Sequence, residues 1–195
     1  MYEAVKKKET TKELILRTAS ELFQRQGFHG TGLSQIIEES GAPKGSLYYH
    51  FPNGKEEIAL EAIKLMKTLV LEGAAKDLAA KDTAVEAFQY HIHNIAADFE
   101  KKQQMEGVQI GLIASETAAT NEVLRNSCQH AYADWQNLYT DRLMAFGYEK
   151  EMAKDLAVTI NALIEGAVIL AVTNASGKPL YSVARQLPSL LNQNS

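Results

Sequence analysis

The sequence predicts an all-α protein of about nine helices, with an N-terminal three-helix domain and a larger C-terminal helical domain. Apolar residues recur at spacings of three and four along almost the whole chain, which is the pattern of helices with one buried face. No alternating apolar and polar run of strand length interrupts this pattern. The hydrophobic fraction of 46% and the charged fraction of 23% are those of a globular protein, so the helices are expected to pack around a core.

The first helix is predicted from Thr11 to Gln26. Thr10 and Glu13 have the spacing of a capping box, in which two side chains satisfy free N–H groups at the start of a helix. Gly27 is typical of the residue that ends a helix, because glycine adopts a left-handed conformation without strain. The expected buried face consists of Ile15, Leu16, Ala19, Leu22 and Phe23.

Two short helices are predicted next. One extends from Leu33 to Ser40, with Thr31 as its cap and Gly41 as its end. The other has Pro43 at its first position, where the fixed φ of proline suits a helix start. A pair of helices joined by a short glycine-containing turn has the layout of a helix-turn-helix, whose second helix enters the major groove of DNA.

The remaining helices are predicted beyond a break at residues 52–54, where Pro, Asn and Gly interrupt the pattern. This break predicts two domains, residues 1–54 and 55–195. The last helix is expected to be kinked or interrupted at Pro188. A long helix should begin near Lys55, and the others should occupy residues 83–102, 107–118, 122–146, 149–175 and 179–191.

Composition limits the function classes only in part. The net charge of −4 divides into 0 for residues 1–60 and −4 for the rest, so the first domain is only slightly better suited to nucleic acid. Cys128 is the only cysteine, which excludes an intrachain disulfide, and we interpret it as a core or pocket residue. No apolar run approaches the ~18 to 20 residues that span a bilayer and no signal peptide is recognisable, so we expect a cytoplasmic protein without membrane contact.

A resemblance supports the interpretation of a DNA reader. The segment from Thr31 to Phe51, TGLSQIIEESGAPKGSLYYHF, closely resembles the DNA-binding domain of the tetracycline-repressor family, and the match covers about residues 10–60. Pro43 and Asn53-Gly54 depart from the commonest motif of the family and are similar to the branch of the lincomycin-resistance and flavonoid-responsive repressors. The resemblance implies a bacterial transcriptional regulator that forms a homodimer, binds double-stranded operator DNA with one domain and senses a small molecule with the other.

Nine residues are predicted to contact DNA. Lys44 and Gly45 lead the third helix, where an ammonium reaches guanine acceptors and a glycine lets the backbone approach the bases. Four side chains are expected at phosphates: Tyr48, Tyr49, His50 and Lys55. The resemblance implies that Thr31 and Ser34 contact the DNA backbone on the other flank. The set is Thr31, Ser34, Lys44, Gly45, Ser46, Tyr48, Tyr49, His50 and Lys55. A small aromatic core is the alternative, which we accept for Leu47 and Phe51, and Tyr48 is compatible with both roles. The lysines at positions 6–8 form either a DNA-binding arm or a solvated tail.

The second domain is predicted to bind a small apolar or aromatic effector. Large side chains, some with polar tips, recur at spacings of three and four on the helices of residues 83–102 and 122–146. The candidate ligand-binding residues are Met66, Phe88, His91, Ile92, Ile95, Phe99, Gln109, Cys128, Tyr132, Trp135, Tyr139 and Asn161. The alternative is that these residues form an ordinary bundle core.

The last two helices carry an apolar stripe with several small residues. The resemblance implies that they form a four-helix bundle with a second copy, and an intrachain core is the alternative. No metal or cofactor is expected. His91 and His93 lie two positions apart on a helix and cannot share one ion.

The sequence also bears on two other function classes. An enzyme is disfavoured because the sequence has no Ser-His-Asp order, no Gly-x-Ser-x-Gly elbow and no Walker loop. A DNA-binding regulator that responds to no ligand is compatible with the sequence. The expected function is that of a repressor released from its operator by a small apolar or aromatic molecule.

Overall fold

The structure, a computed structural model, describes residues 9–102 and 110–192, and within these ranges the chain forms nine α-helices and no strand. The predicted fold class is confirmed. The helices are α1 (Thr11–Gly30), α2 (Leu33–Ser40), α3 (Lys44–His50), α4 (Lys55–Ala79), α5 (Ala84–Lys102), α6 (Ile110–Thr117), α7 (Glu122–Ala145), α8 (Lys150–Asn174) and α9 (Lys178–Leu191).

The first helix begins as predicted and ends differently. The Thr10 hydroxyl accepts the N–H of Glu13 at 3.2 Å, and the Glu13 carboxylate accepts the N–H of Thr10 at 2.8 Å. Gly27 has a φ of 76°, which only glycine adopts readily, but it kinks the helix instead of ending it. The helix resumes beyond the kink and ends at Gly30.

Two predicted helix starts are corrected by the structure. Gly32, and not Thr31, occupies the cap position of α2, because the Thr31 hydroxyl donates to the Gly27 carbonyl at 2.7 Å. This bond closes the kinked end of α1. Pro43 is the cap residue of α3 and precedes its first helical residue.

Pro188 does not interrupt α9, contrary to the prediction. Proline has no N–H for the carbonyl four residues earlier, which here belongs to Ala184. Gln89 of α5 supplies the missing donor, since its Nε2 lies 2.9 Å from the Ala184 oxygen. A hydrogen bond from a neighbouring helix therefore allows the proline within α9.

Two clusters of buried side chains hold the helices together. The head cluster joins α1, α2 and α3 to the first half of α4, to α6 and to the first half of α7. The bundle cluster joins the end of α4 to α5, the second half of α7, α8 and α9. The head cluster continues across residue 54, so packing, and not a flexible linker, orients the first three helices. The division into domains at residue 54 stays a prediction.

One helix is apolar on two faces, which the sequence analysis did not anticipate. By length and composition α8 could cross a membrane: an 18-residue window within Lys150–Asn174 has a mean hydropathy of 2.0 and is 44% buried inside the protein. Core helices of globular proteins meet the same criteria. One face of α8 packs in the bundle cluster, and the other leaves Leu163, Ile169 and Leu170 between 41% and 64% exposed.

Candidate nucleic-acid interface and effector site

The outer surface of α2 and α3 exposes five of the nine residues predicted to contact DNA. They are Ser34, Lys44, Gly45, Tyr48 and Tyr49. Tyr49 is 80% exposed, which is unusual for a large aromatic side chain with a structural role. Leu47 and Phe51 are fully buried on the other side of α3 and belong to the head cluster.

This surface can attract an anion in two ways. Lys44 is exposed and takes part in none of the ion pairs found within the described residues. At the start of α2, no side chain of the described ranges caps the first N–H groups, which lie at the positive end of the helix dipole. Phosphate oxygens are suitable partners for both features.

Thr31 and Lys55 occupy positions that differ from the predicted DNA contacts. The Thr31 side chain is 1% exposed and its hydroxyl is bonded to Gly27. The Lys55 ammonium donates to the Thr31 carbonyl at 2.9 Å and lies 4.3 Å from the centre of the Phe28 ring. Burial lowers the pKa of Lys55, and the charge of Glu116 opposes this shift. We therefore assign both residues to the packing of the N-terminal helices. Ser46 and His50 are half-buried and remain predicted contacts.

Two side-chain contacts, which we call the joint, connect the N-terminal helices and the start of α4 to α6 and α7. The N–H of His29, just beyond the kink in α1, donates to the Glu116 carboxylate at 2.9 Å. A Cβ at Gly27 would overlap this carboxylate, so the glycine also provides its space. The Asn121 amide at the start of α7 donates to Glu56 at 2.6 Å. Movement of α6 or α7 would therefore be transmitted to the helix-turn-helix through these contacts.

The predicted ligand-binding residues do not line a single surface. Four belong to the bundle cluster: Phe88, Ile92, Phe99 and Tyr139, with Ile95 packed against them. Three belong to the head cluster: Met66, Cys128 and Trp135, with Tyr132 packed against them. Asn161 is buried on α8, and Gln109 lies outside the described residues. Burial raises the pKa of Cys128 to about 11, which keeps this thiol protonated.

His91 is engaged by protein groups on both ring nitrogens. Nδ1 lies 2.9 Å from Asp77 Oδ2, and Nε2 lies 3.1 Å from the Tyr139 hydroxyl. Asn94 donates to the other oxygen of Asp77 at 2.7 Å. These bonds join α4, α5 and α7, so His91 braces the bundle. Within the described ranges, no three His, Cys, Asp or Glu side chains are grouped closely enough to hold a metal ion.

Glu165 is a candidate ligand-binding residue that was not predicted from the sequence. It lies half-buried on α8, close to the Tyr132 hydroxyl of α7. Gly111 of α6 packs against both groups, since a Cβ there would lie 2.8 Å from Glu165 Oε2 and 3.2 Å from the Tyr132 oxygen. Burial raises the pKa of Glu165 to about 7, although the bond from Tyr132 opposes this shift.

The sequence contained a signal for Glu165. It is the only charged residue between Asp155 and Lys178, in the most apolar stretch of the chain. A lone carboxylate in such a stretch is costly to bury, so its presence indicates a candidate functional site. Periodicity did not reveal this residue, because its partners lie on other helices.

An open groove of about 990 Å³ lies between the outer faces of α8 and α9. Its lining is mostly apolar and includes Leu163, Gly166, Ile169, Leu170, Pro179 and Val183. The same face of α8 carries the exposed leucines and isoleucine. A surface of this kind is suited to contact with another protein surface.

Comparison with known proteins assigns both halves of the chain. Residues 15–62 match the family of bacterial regulatory proteins named tetR, and residues 84–186 match the C-terminal domain of LmrA/YxaF-like transcriptional regulators. The chain is 43% identical to the uncharacterized HTH-type transcriptional regulator YxaF of Bacillus subtilis, over 94% of this chain and 96% of that protein. It is 40% identical to the HTH-type transcriptional regulator LmrA of the same organism, over 94% of this chain and 97% of that protein. Its fold is similar to that of a TetR transcriptional regulator from Legionella pneumophila, with a TM-score of 0.79 at 23% identity, covering 94% of this chain and 96% of that one.

Proposed function

Because this chain belongs to the tetR family of bacterial transcriptional regulators, in the LmrA/YxaF-like branch, we propose that it is a repressor that leaves its operator when a small apolar or aromatic molecule binds the second domain. The observation that carries the proposal is the joint. It links a helix of the sensing half to the kinked end of α1, beside the surface proposed to read DNA.

The proposed DNA contacts are the exposed side chains of α2 and α3. Lys44 and Gly45 reach base edges in the major groove, and Tyr48 and Tyr49 reach phosphates on either side. Ser34, with the uncapped N–H groups of α2, binds the backbone on the other flank. Leu47 and Phe51 keep this surface rigid from below, because both are fully buried in the head cluster.

A homodimer through α8 and α9 is part of the proposal. The apolar groove between these helices and the exposed face of Leu163, Ile169 and Leu170 would be covered by the same surface of a second copy. Two copies related by a two-fold axis present two reading helices to two half-sites of an operator. Repression at an operator places the protein in the cytoplasm, where bacterial DNA is found.

Effector binding is proposed to act through α6 and α4. The C-terminal end of α4 is held in the bundle, since Arg142 of α7 donates to the carbonyls of Leu78 at 2.9 Å and Lys81 at 3.3 Å. The N-terminal end of α4 is held by the joint, through Glu56 and Asn121. A ligand that shifts α6 relative to α7 would change the joint while Arg142 of α7 still holds the far end of α4. The resulting reorientation of the heads lowers operator affinity only if the ligand binds one arrangement better than the other.

The proposal is tested by fluorescence anisotropy with a labelled duplex from upstream of the protein's own gene. We expect specific binding that resists an excess of unrelated duplex and weakens steeply as salt is raised. A panel of aromatic compounds should include at least one that releases the duplex. Specific binding that no compound weakens would contradict the ligand-released repressor and favour a regulator without an effector.

One variant tests the role of the joint in the same assay. Glu116→Gln keeps the shape of the side chain but weakens its bond to the His29 N–H, since a hydrogen bond to a charged group contributes about 1.5 to 3 kcal/mol and one to a neutral group about 1 kcal/mol. We expect the variant to bind the releasing compound with unchanged affinity but to be released from the duplex less completely. The exposed Glu122→Gln at the start of α7 is the matched control and should be released like the wild type. Equal release of all three proteins would contradict the role of the joint.

A further inference from the structure

We propose that the Glu165 carboxylate, together with the Tyr132 hydroxyl, binds a protonated amine on an otherwise apolar effector. The inference rests on the proposed function, since it assigns a chemical class to the effector of that function. It depends on three observations: the charge that the site carries, the neutrality of its surroundings and the elements that meet there.

The charge of Glu165 is not compensated within the described part of the protein. None of the ion pairs formed by residues 9–102 and 110–192 includes this carboxylate. The nearby Tyr132 hydroxyl can donate at most one hydrogen bond to it, whereas a carboxylate has about four acceptor positions. A half-buried carboxylate in this condition favours a partner that brings both a positive charge and N–H donors.

The groups that the described residues place beside Glu165 are neutral. Gly111 of α6 presents backbone only, and Tyr132 of α7 stays protonated because burial raises its pKa. Tyr139, also on α7, is close enough for the charge of Glu165 to raise its pKa as well. The Tyr139 hydroxyl is already bonded to His91, whose other nitrogen is paired with Asp77. None of these described groups carries a positive charge that could pair with ionised Glu165, so a cationic ligand would meet no competing partner among them.

The surroundings also suit the apolar part of such a ligand. The Tyr132 ring packs edge-on against Trp135, with ring centres 5.3 Å apart. An aromatic ring next to a carboxylate favours an organic cation, because the ring face attracts positive charge while the ring covers apolar atoms. Asn161, buried one turn before Glu165 on α8, offers an amide on the same side of that helix.

The position of Glu165 connects ligand binding to release of the operator. Glu165, Tyr132 and Gly111 lie on three different helices, α8, α7 and α6. Gly111 is near the start of α6, and Glu116, which holds the joint, is near its end. A ligand bound at Glu165 therefore contacts the helix that would have to move.

Three naphthalenes of nearly equal size test the proposal. They are 2-(aminomethyl)naphthalene, which is protonated at neutral pH, 2-(hydroxymethyl)naphthalene, which is a neutral donor, and 2-ethylnaphthalene, which has no polar group. Binding to the full-length protein is measured by calorimetry or tryptophan fluorescence at pH 6 and pH 8. Release of the operator duplex is followed with each probe in parallel.

We expect the amine to bind the wild type about ten- to a hundredfold more tightly than either neutral probe at pH 8, as for a hydrogen bond to a charged partner. This preference should decrease at pH 6, because the raised pKa of about 7 leaves most Glu165 protonated there. In Glu165→Gln the preference should be lost at both pH values. Glu151→Gln, in the exposed first turn of the same helix, is the matched control and should retain it.

The outcomes separate this inference from the proposed function. Equal binding of the amine and the alcohol, failure of all three probes to bind, or an amine preference that persists in Glu165→Gln would each overturn the inference. If 2-ethylnaphthalene or the alcohol releases the operator as well as the amine does, the ligand-released repressor stands and the cationic class is wrong. Melting curves of the variants ensure that folded proteins are compared.

Discussion

Gly27 is required by two features of its surroundings at once. Its φ of 76° is a left-handed value that strains any residue with a Cβ. The same Cβ would overlap the Glu116 carboxylate, which approaches to bind the His29 N–H. The left-handed conformation was predictable from the sequence, because glycine commonly ends or kinks helices. The space for the Glu116 carboxylate was not predictable, because Glu116 is 87 residues from its partner in the chain.

Glu165 makes the stability of the protein depend on pH. Burial raises its pKa from an ordinary value of 4.5 to about 7, so the folded state holds the proton to a higher pH than the unfolded state does. The contribution of Glu165 to the free energy of unfolding therefore decreases as pH rises from about 4.5 to about 7. We expect Glu165→Gln to unfold in urea like the wild type near pH 4.5 and to be more stable by about 2 to 3 kcal/mol at pH 8, where the wild type bears the full cost of ionisation.

The control for this measurement is Glu151→Gln. Lys154 lowers the pKa of Glu151, so the sign is reversed and this variant should lose stability relative to the wild type as pH rises. A stability difference between Glu165→Gln and the wild type that is the same at pH 5 and pH 8 would contradict the account of Glu165.

Among the elements, α9 shows how one helix depends on another. Pro188 removes a hydrogen bond within α9, and Gln89 of α5 replaces it at the Ala184 carbonyl. We expect Gln89→Leu to lower the free energy of unfolding by about 1 to 3 kcal/mol, the cost of an acceptor left without a donor. Urea unfolding measures the loss.

The matched control is Gln129→Leu, at an exposed position of α7. Its free energy of unfolding should stay within about 0.5 kcal/mol of the wild type, as for most surface substitutions. If Gln89→Leu is no more destabilised than Gln129→Leu, the bond to α9 has no structural importance.

The same elements show which parts of the fold follow from the sequence. Helix positions were predictable because apolar spacing and caps are local signals, as at Thr10 and Gly41. The cap role of Thr31 and an interruption at Pro188 were predicted wrongly because both depend on partners outside the local pattern: the Gly27 carbonyl in one case and Gln89 in the other. The sensing residues were least predictable, since one helical face can pack into either of two clusters.

The residues of the candidate sites also differ in how far the sequence predicted them. Lys44, Gly45 and Tyr49 could be singled out because a polar, glycine-containing surface on a short helix has no purpose in a core, and all three are exposed. Glu165 acquires its character only where α6, α7 and α8 meet. Such a site requires the three-dimensional arrangement, and the sequence provides only the signal of an isolated charge.

At the scale of the whole molecule, a shared core connects the surface proposed to read DNA to the helices proposed to sense the effector. The head cluster includes residues of α1, α2 and α3 together with residues of α4, α6 and α7. The two functions are therefore not carried by independent units, and a change near Glu165 has a short packed route to the joint. This coupling is useful only if the surface of α2 and α3 binds a specific DNA sequence.

The most direct test of that central claim is the operator affinity of Lys44→Ala, compared by anisotropy with the wild type and with Lys76→Ala. The control removes an equal charge from an exposed position of α4, distant from the reading surface in the sequence. We predict that Lys44→Ala loses specific binding, by about 1 to 3 kcal/mol or more for a base contact, while remaining folded and eluting like the wild type in gel filtration. Lys76→Ala should bind like the wild type. Full operator affinity in Lys44→Ala would contradict the assignment of α3 as the reading helix.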